Sequence, residues 1–305
     1  VDVQTVTVIG AGTMGAGIAQ VCAQAGLDTH LVDAQPEALQ RGVARITEFW
    51  DKGITKGKTT PDQKAQWAAR LHTAPDLAKP ASKSQVVIEA VPEDLKLKQK
   101  VFAAIDAAAP AGALLASNTS SLSVSAIAAA TKRPQSVLGL HFFNPVPLMQ
   151  LLEIVRHDQT APDALAMAQD LGRRLGKTTI VVRDSPGFAT SRLGIVLGNE
   201  AMRMLEEGVA SAKDIDTAMR LGYGHPMGPL ELSDLVGLDV RANVSAYLQS
   251  TLGGDQFRPP AIATRLVAAG DLGKKTGRGF YDWSTGSPQE RKELASKANK
   301  PGRQP

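Results

Sequence analysis

The run Val6-Thr7-Val8-Ile9-Gly10-Ala11-Gly12-Thr13-Met14-Gly15 constrains the fold more than any other stretch of this chain. Its apolar and β-branched residues read as a strand, and the glycine-rich turn after them opens into a helical pattern. Gly10 permits a tight turn, Gly12 lets the main chain approach a pyrophosphate with no Cβ in the way, and Gly15 lets the helix pack close to the strand. The helix start at Thr13 and Met14 then presents N–H groups and a partial positive charge to an anion. A second apolar strand, residues 29–32, ends at Asp33, at about the twenty-residue distance where a carboxylate can bond the hydroxyls of an adenosine ribose. That carboxylate repels a 2′-phosphate, so the expected cofactor is NAD rather than NADP. The alternative is a doubly wound α/β domain that shares the shape without the ligand.

At 305 residues, with 43% hydrophobic content, the chain is long enough for two domains with separate cores. Only three Trp, three Tyr and seven Phe are present, so those cores must be mainly aliphatic, as buried parallel strands require. The formal charge of +4 is not gathered into a basic stripe interleaved with aromatics, which argues against a nucleic-acid partner. No apolar run reaches the ~18 residues of a membrane span. Cys22 is the single cysteine and cannot form an internal disulfide, and the first residues lack a leader pattern; a cytoplasmic location is expected.

Further strand patterns at 86–88, 114–116, 137–140, 151–155 and 178–182 alternate with helical ones at 36–50, 61–70, 96–108 and 163–175. After Phe188 the pattern changes to amphipathic helices at 191–207, 213–221, 230–252 and 261–269, with Asp184-Ser185-Pro186-Gly187 as the break between the regimes. The expected architecture is therefore α/β: an N-terminal Rossmann-type doubly wound sheet over residues 1–184, then an all-α C-terminal domain over 185–283. Residues 284–305 are rich in charge, Gly, Ser and Pro, and read as a disordered tail.

Several side chains can carry chemistry. His141 stands at the carboxyl end of a strand, where an imidazole can take the proton of an alcohol as hydride leaves its carbon. A histidine bonded to nearby main chain is the bland reading. Glu153 lies on the next strand, and a carboxylate in an apolar strand is costly unless paired. The turn through Asn144-Pro145-Val146-Pro147 would bring the two together, unless Glu153 sits on an edge and faces water. Ser120 and Asn118 belong to a polar loop at a neighbouring strand end, which is either a plain loop or a set of donors for substrate and cofactor. Lys52, Lys56 and Lys58 form a basic cluster that is either a solvated face or a seat for phosphates. The five histidines show no ligand spacing, so no metal is expected.

Taken together these motifs resemble the short-chain L-3-hydroxyacyl-CoA dehydrogenases, among them the bacterial 3-hydroxybutyryl-CoA dehydrogenases. The likeness extends over residues 8–17, 88–93, 117–122, 139–147, 184–188 and 222–229, and over Gly273-Lys274-Lys275-Thr276-Gly277 before Gly279-Phe280-Tyr281. It implies that His141 is the base, Glu153 its partner carboxylate and Ser120 a ligand of the substrate oxygen. It also implies that Glu93, Lys98, Asn118, Asn144 and Lys275 contact NAD or frame the site, and that Lys56 and Lys52 meet the phosphates of an acyl-CoA. A homodimer through the helical domain follows from the same likeness. One departure stands out: Ser191 occupies the place of an asparagine found in most relatives, and a hydroxyl is shorter than an amide and poorer in hydrogen-bonding groups. A dehydrogenase of a free hydroxy acid and a non-catalytic structural reuse of the fold are the competing readings.

Overall fold

The computed structural model describes residues 2–295, which divide into two compact units, the first ending at Phe188 and the second starting at Ala189. The first unit runs β1 (Thr5–Ile9), α1 (Thr13–Gln24), β2 (Asp28–Val32), α2 (Pro36–Thr55), α3 (Pro61–Ala68), β3 (Leu71–Ala74), α4 (Ala78–Ala81), β4 (Val86–Glu89) and α5 (Leu95–Ala108). It continues with β5 (Leu114–Ser117), α6 (Val124–Ala128), β6 (Val137–Phe142), β7 (Leu151–Arg156), α7 (Pro162–Arg174) and β8 (Thr178–Arg183).

These strands form one sheet in the order β3-β2-β1-β4-β5-β6-β7-β8. Pairing is parallel from β3 to β6; β7 then turns antiparallel against β6, and β8 runs parallel to β7. The strand order reverses between β1 and β4, and ligands of such sheets collect beyond the carboxyl ends at that reversal. Alternate strand residues feed two cores. Val8, Ile88 and Leu140 pack with Ile18 of α1, Ile46 of α2 and Leu171 of α7. Val87, Leu115 and Val137 pack with Phe102 and Ile105 of α5 and Ile127 of α6. Burial on both faces is why these strands read as unbroken apolar runs. The one strand of this sheet that sequence reading missed, β3, is an edge strand whose His72 and Thr73 are exposed, so it lacks that signature.

Local chemistry sets the helix starts. Asp94 caps α5 by accepting from Leu97 N, and Thr60 and Gln63 cap α3 reciprocally.

In the second unit come α8 (Thr190–Glu207), α9 (Ala212–Gly222), α10 (Pro229–Val236), α11 (Leu238–Leu252) and α12 (Ala261–Ala268). A short hairpin of β9 (Tyr281–Asp282) and β10 (Gln289–Glu290) follows, then α13 (Lys292–Ala295). Met202, Leu205, Ile215, Leu230, Leu266 and Phe280 form its core. The stretch 230–252 is two helices rather than one. Gly237, with φ +105°, breaks it, a backbone conformation that other residues rarely adopt.

The stretch from Ser284 also departs from expectation, because residues 284–295 are built into the fold. Gln289 and Glu290 pair with β9, and the nearly buried Arg291 binds Asp271 at 2.8 Å and Glu293 at 2.8 Å. Backbone pairing and ion pairs hold this strip in place, and composition reports only its lack of apolar residues. The rest of the expected tail, 296–305, lies outside the described residues. Among the described residues no helix is long and apolar enough to cross a membrane.

Candidate active site

The glycines after β1 shape the first part of the site. A Cβ on Gly10, whose φ is +102°, would lie 2.6 Å from Ala90 O, and one on Gly15 would lie 1.7 Å from Gly10 O. Neither position can carry a side chain. A Cβ on Gly12 would meet nothing within 4 Å, so its bareness serves open space rather than packing. Gly12 also begins α1 without a side-chain cap, leaving the helix end for an anion. Asp33 is held beside this turn: Oδ2 accepts from Ala11 N at 2.8 Å and Oδ1 from Gln35 N at 2.9 Å. A carboxylate has about four acceptor sites, so capacity for ribose hydroxyls remains. Gly10, Gly12, Thr13, Met14, Asp33 and Val91 line a cavity of about 780 Å³. The cradle, the uncapped helix end and the carboxylate fit a dinucleotide without a 2′-phosphate.

Beyond Met14, Ala90 and Val91, which line both, lies a second cavity of about 350 Å³. His141 opens onto it. On the register between β6 and β7, His141 faces Glu153, and Nδ1 lies 2.7 Å from Oε2. Glu153 is 0% exposed and is flanked on its other side by Ile180 of β8, so it is neither an edge residue nor a water-facing one. A charge buried this deeply is tolerated when a charge-assisted hydrogen bond compensates its lost solvation. With Nδ1 engaged, proton transfer falls to Nε2.

Ser120 and Asn118 also line this cavity. Glu93 Oε1 holds the Ser120 loop, accepting from Thr119 Oγ1 at 2.6 Å, Ser120 N at 3.0 Å and Ser121 N at 3.2 Å. Burial works to raise the Glu93 pKa, but the Thr119 hydroxyl, the Lys98 ammonium and the Ser120 amide outweigh it and hold the carboxyl below its ordinary value. Asn118 Oδ1 accepts from Phe142 N at 2.9 Å, which ties the loop to β6 and makes the amide NH2 the donor it can offer. Asn144 is exposed at the rim.

Other expected residues are placed differently. Lys98 is almost fully buried beneath the loop, with Nζ 2.7 Å from Glu89 Oε1 and 3.3 Å from Glu93 Oε2; it frames the site. Lys52 pairs with Glu48 at 2.6 Å in the last turn of α2, and Lys56 caps that helix in the open. Ser191 and Lys275 belong to the second unit, where Ser191 sits in the first turn of α8 and Lys275 pairs with Asp239.

Sequence reading passed over Glu89. It is fully buried at the end of β4 and accepts from Lys98 Nζ, Val91 N at 2.6 Å and Ser117 Oγ at 2.7 Å, making it the hub beneath the Ser120 loop. The signal was present: like Glu153, it is a carboxylate in an otherwise apolar strand.

A dinucleotide cradle opening onto a carboxylate-steered imidazole is what a nicotinamide-dependent dehydrogenase requires. Residues 5–185 match the NAD binding domain of 3-hydroxyacyl-CoA dehydrogenase and residues 187–283 match its C-terminal domain. The chain belongs to the 3-hydroxyacyl-CoA dehydrogenase family. It is 41% identical over 286 residues to a probable 3-hydroxybutyryl-CoA dehydrogenase of Bacillus subtilis, covering 92% of this chain and 98% of that protein. It is 42% identical over 284 residues to a 3-hydroxyadipyl-CoA dehydrogenase of Escherichia coli, covering 93% of this chain and 60% of that protein. Among solved structures, the (S)-3-hydroxybutyryl-CoA dehydrogenase of Ralstonia eutropha superposes with a TM-score of 0.89 at 42% identity, covering 93% of this chain and all of that one.

Proposed function

We propose that this protein catalyses reversible, NAD-dependent oxidation of a short-chain (S)-3-hydroxyacyl-CoA, such as 3-hydroxybutyryl-CoA, to the 3-oxoacyl-CoA. The observation that carries the reading is the 2.7 Å contact between His141 Nδ1 and Glu153 Oε2 on the wall of a cavity adjoining the glycine crevice. Gly10, Gly12, Thr13, Met14, Gly15 and Asp33 hold NAD, which supplies the hydride acceptor when bound. His141 Nε2 takes the hydroxyl proton, and Glu153 stabilises the imidazolium that results. Ser120 Oγ and the Asn118 amide donate toward the substrate oxygen or the cofactor, on a loop fixed by Glu93, Lys98 and Glu89. Lys56, with Lys52, attracts the CoA phosphates, and Ser191 stands in for the usual asparagine with a bridging water making up the lost reach.

The active form is a cytoplasmic homodimer joined through the second unit. Leu193, Leu235, Val236 and Val240 of that unit are 43% to 71% exposed, apolar area of the kind a partner covers. Acetoacetyl-CoA and free acetoacetate, each offered with NADH, test the substrate class. Turnover of the thioester alone is expected; comparable turnover of the free acid would transfer the reading to hydroxy-acid dehydrogenases.

A further inference from the structure

Phe188 is the one non-glycine residue with a left-handed backbone among the described residues, at φ +47°. Crowding of Cβ makes that region unfavourable for a phenylalanine, so it persists where surrounding contacts impose it. The contacts are specific. Asp184 anchors the segment, Oδ2 accepting from Ser123 Oγ at 2.9 Å and Ser125 N at 2.8 Å and Oδ1 from Val124 N at 3.1 Å. Phe188 N closes a turn on Ser185 O at 2.9 Å. The Phe188 ring is buried, and its centroid lies 5.7 Å from that of the His141 imidazole, tilted 60°; the Phe143 ring lies 4.5 Å away, tilted 50°.

A filler of the core would need no strained backbone, since Val124, Ile127 and Val155 fill the same cluster with ordinary backbone. The imidazole, by contrast, needs walls. A single hydrogen bond from Nδ1 fixes one atom of the ring and leaves its plane free to swing, because the χ2 wells of histidine are broad. The charged groups around the ring are Glu153 from β7 and, across the cavity, Glu93 with its Lys98.

We propose that Phe188 is a positioning residue for His141, its ring forming with Phe143 the apolar wall that confines the imidazole to the pose in which Nδ1 faces Glu153 and Nε2 reaches substrate. This rests on His141 being the base. The test compares Phe188→Ala, Phe188→Leu and Phe188→Gly in the full-length chain by kcat, KM, the Kd for NADH and the downfield proton resonance of the Nδ1–H···Glu153 hydrogen bond.

Phe188→Ala is expected to lower kcat by at least ~10-fold, as loss of orientation does, while the KM and Kd for NADH stay within ~2-fold and the resonance broadens or vanishes. Phe188→Leu should lose about 3-fold in kcat and keep a weakened resonance. Phe188→Gly relieves the left-handed strain but has no ring, and should be as slow as Phe188→Ala. Wild-type kcat with an intact resonance in Phe188→Ala or Phe188→Gly would overturn the proposal; where those fold poorly, the same result in Phe188→Leu would do so. An active His141→Gln would remove the base instead, leaving the resonance as an independent report on the wall.

Discussion

Glu153 in the first unit and Asp234 in the second are both carboxylates with almost no exposure, and each is satisfied in a different way. Asp234 is wrapped by two main-chain amides and an indole: Oδ1 accepts from Phe280 N at 2.8 Å, and Oδ2 from Tyr281 N at 2.8 Å and Trp283 Nε1 at 2.9 Å. Its neighbour Asp216 likewise accepts from Leu230 N, Glu231 N and the Tyr281 hydroxyl. A Cβ on Gly279 would lie 2.0 Å from Asp234 Oδ1, so the wrap needs a glycine there. These donors do not titrate near neutrality, and they staple the loop of residues 280–283 to α9 and α10. Glu153 instead faces a histidine that lines a cavity. Burial of a carboxylate therefore shows that a partner exists, and the partner's chemistry decides between a staple and a site.

The sharpest way to break this contrast is His141→Gln. It should lower kcat by about 10³-fold, the order lost with a general base, and leave NADH affinity unchanged by fluorescence titration; near-normal turnover would place His141 among the staples. Glu153→Gln should cost about 10²-fold in kcat, because a neutral amide neither orients the ring as firmly nor stabilises its cation. Equal kcat in the two proteins would remove the steering role.

Asp234→Asn should leave kcat within ~2-fold, since it lies in the staple, and change how stability depends on pH. Burial pushes the Asp234 carboxyl up from its ordinary 3.8 to about 6, so the folded protein holds a proton that the unfolded chain has released. That contribution to stability is complete below pH 3.8 and is lost as pH rises through 6. Denaturant melts should show wild type losing about 3 kcal/mol relative to the variant over that window. A constant difference would mean that the three donors keep the carboxyl ionised as well as the unfolded chain does. The smallest expected effect is that of Lys56→Ala, a rise of about 5-fold in KM for acetoacetyl-CoA at low salt with kcat unaltered, because an exposed cation acts weakly through solvent. Loss of kcat instead would bring this lysine nearer the chemistry than its place at the end of α2 suggests.

Much of the first unit could be read directly from residue order. A strand, a glycine turn and a helix are local, so the turn at Gly10 and Gly12 and the carboxylate of Asp33 beside it could be placed through spacing alone. The pairing of His141 with Glu153 was also within reach, because the chain turns back through Asn144-Pro145-Val146-Pro147 and a carboxylate in an apolar strand needs a partner. Glu89 was readable by the same reasoning, as a carboxylate at the end of an apolar strand. Gly237 and the strip at 284–295 were misread for another reason: helix continuity and order there depend on main-chain conformation and on ion pairs with distant residues, Asp271 among them.

What the sequence by itself determined is the α/β class, the glycine turn with its flanking carboxylate and the imidazole–carboxylate pair, each encoded by residues close along the chain or by a simple period of burial. What only the tertiary structure decided is how that imidazole is enclosed. Asp184 and Phe188 are separated from His141 by two strands and a helix, and the left-handed turn that presents the aromatic ring is disfavoured locally, so it exists because packing between distant segments outweighs the preference of the residue itself.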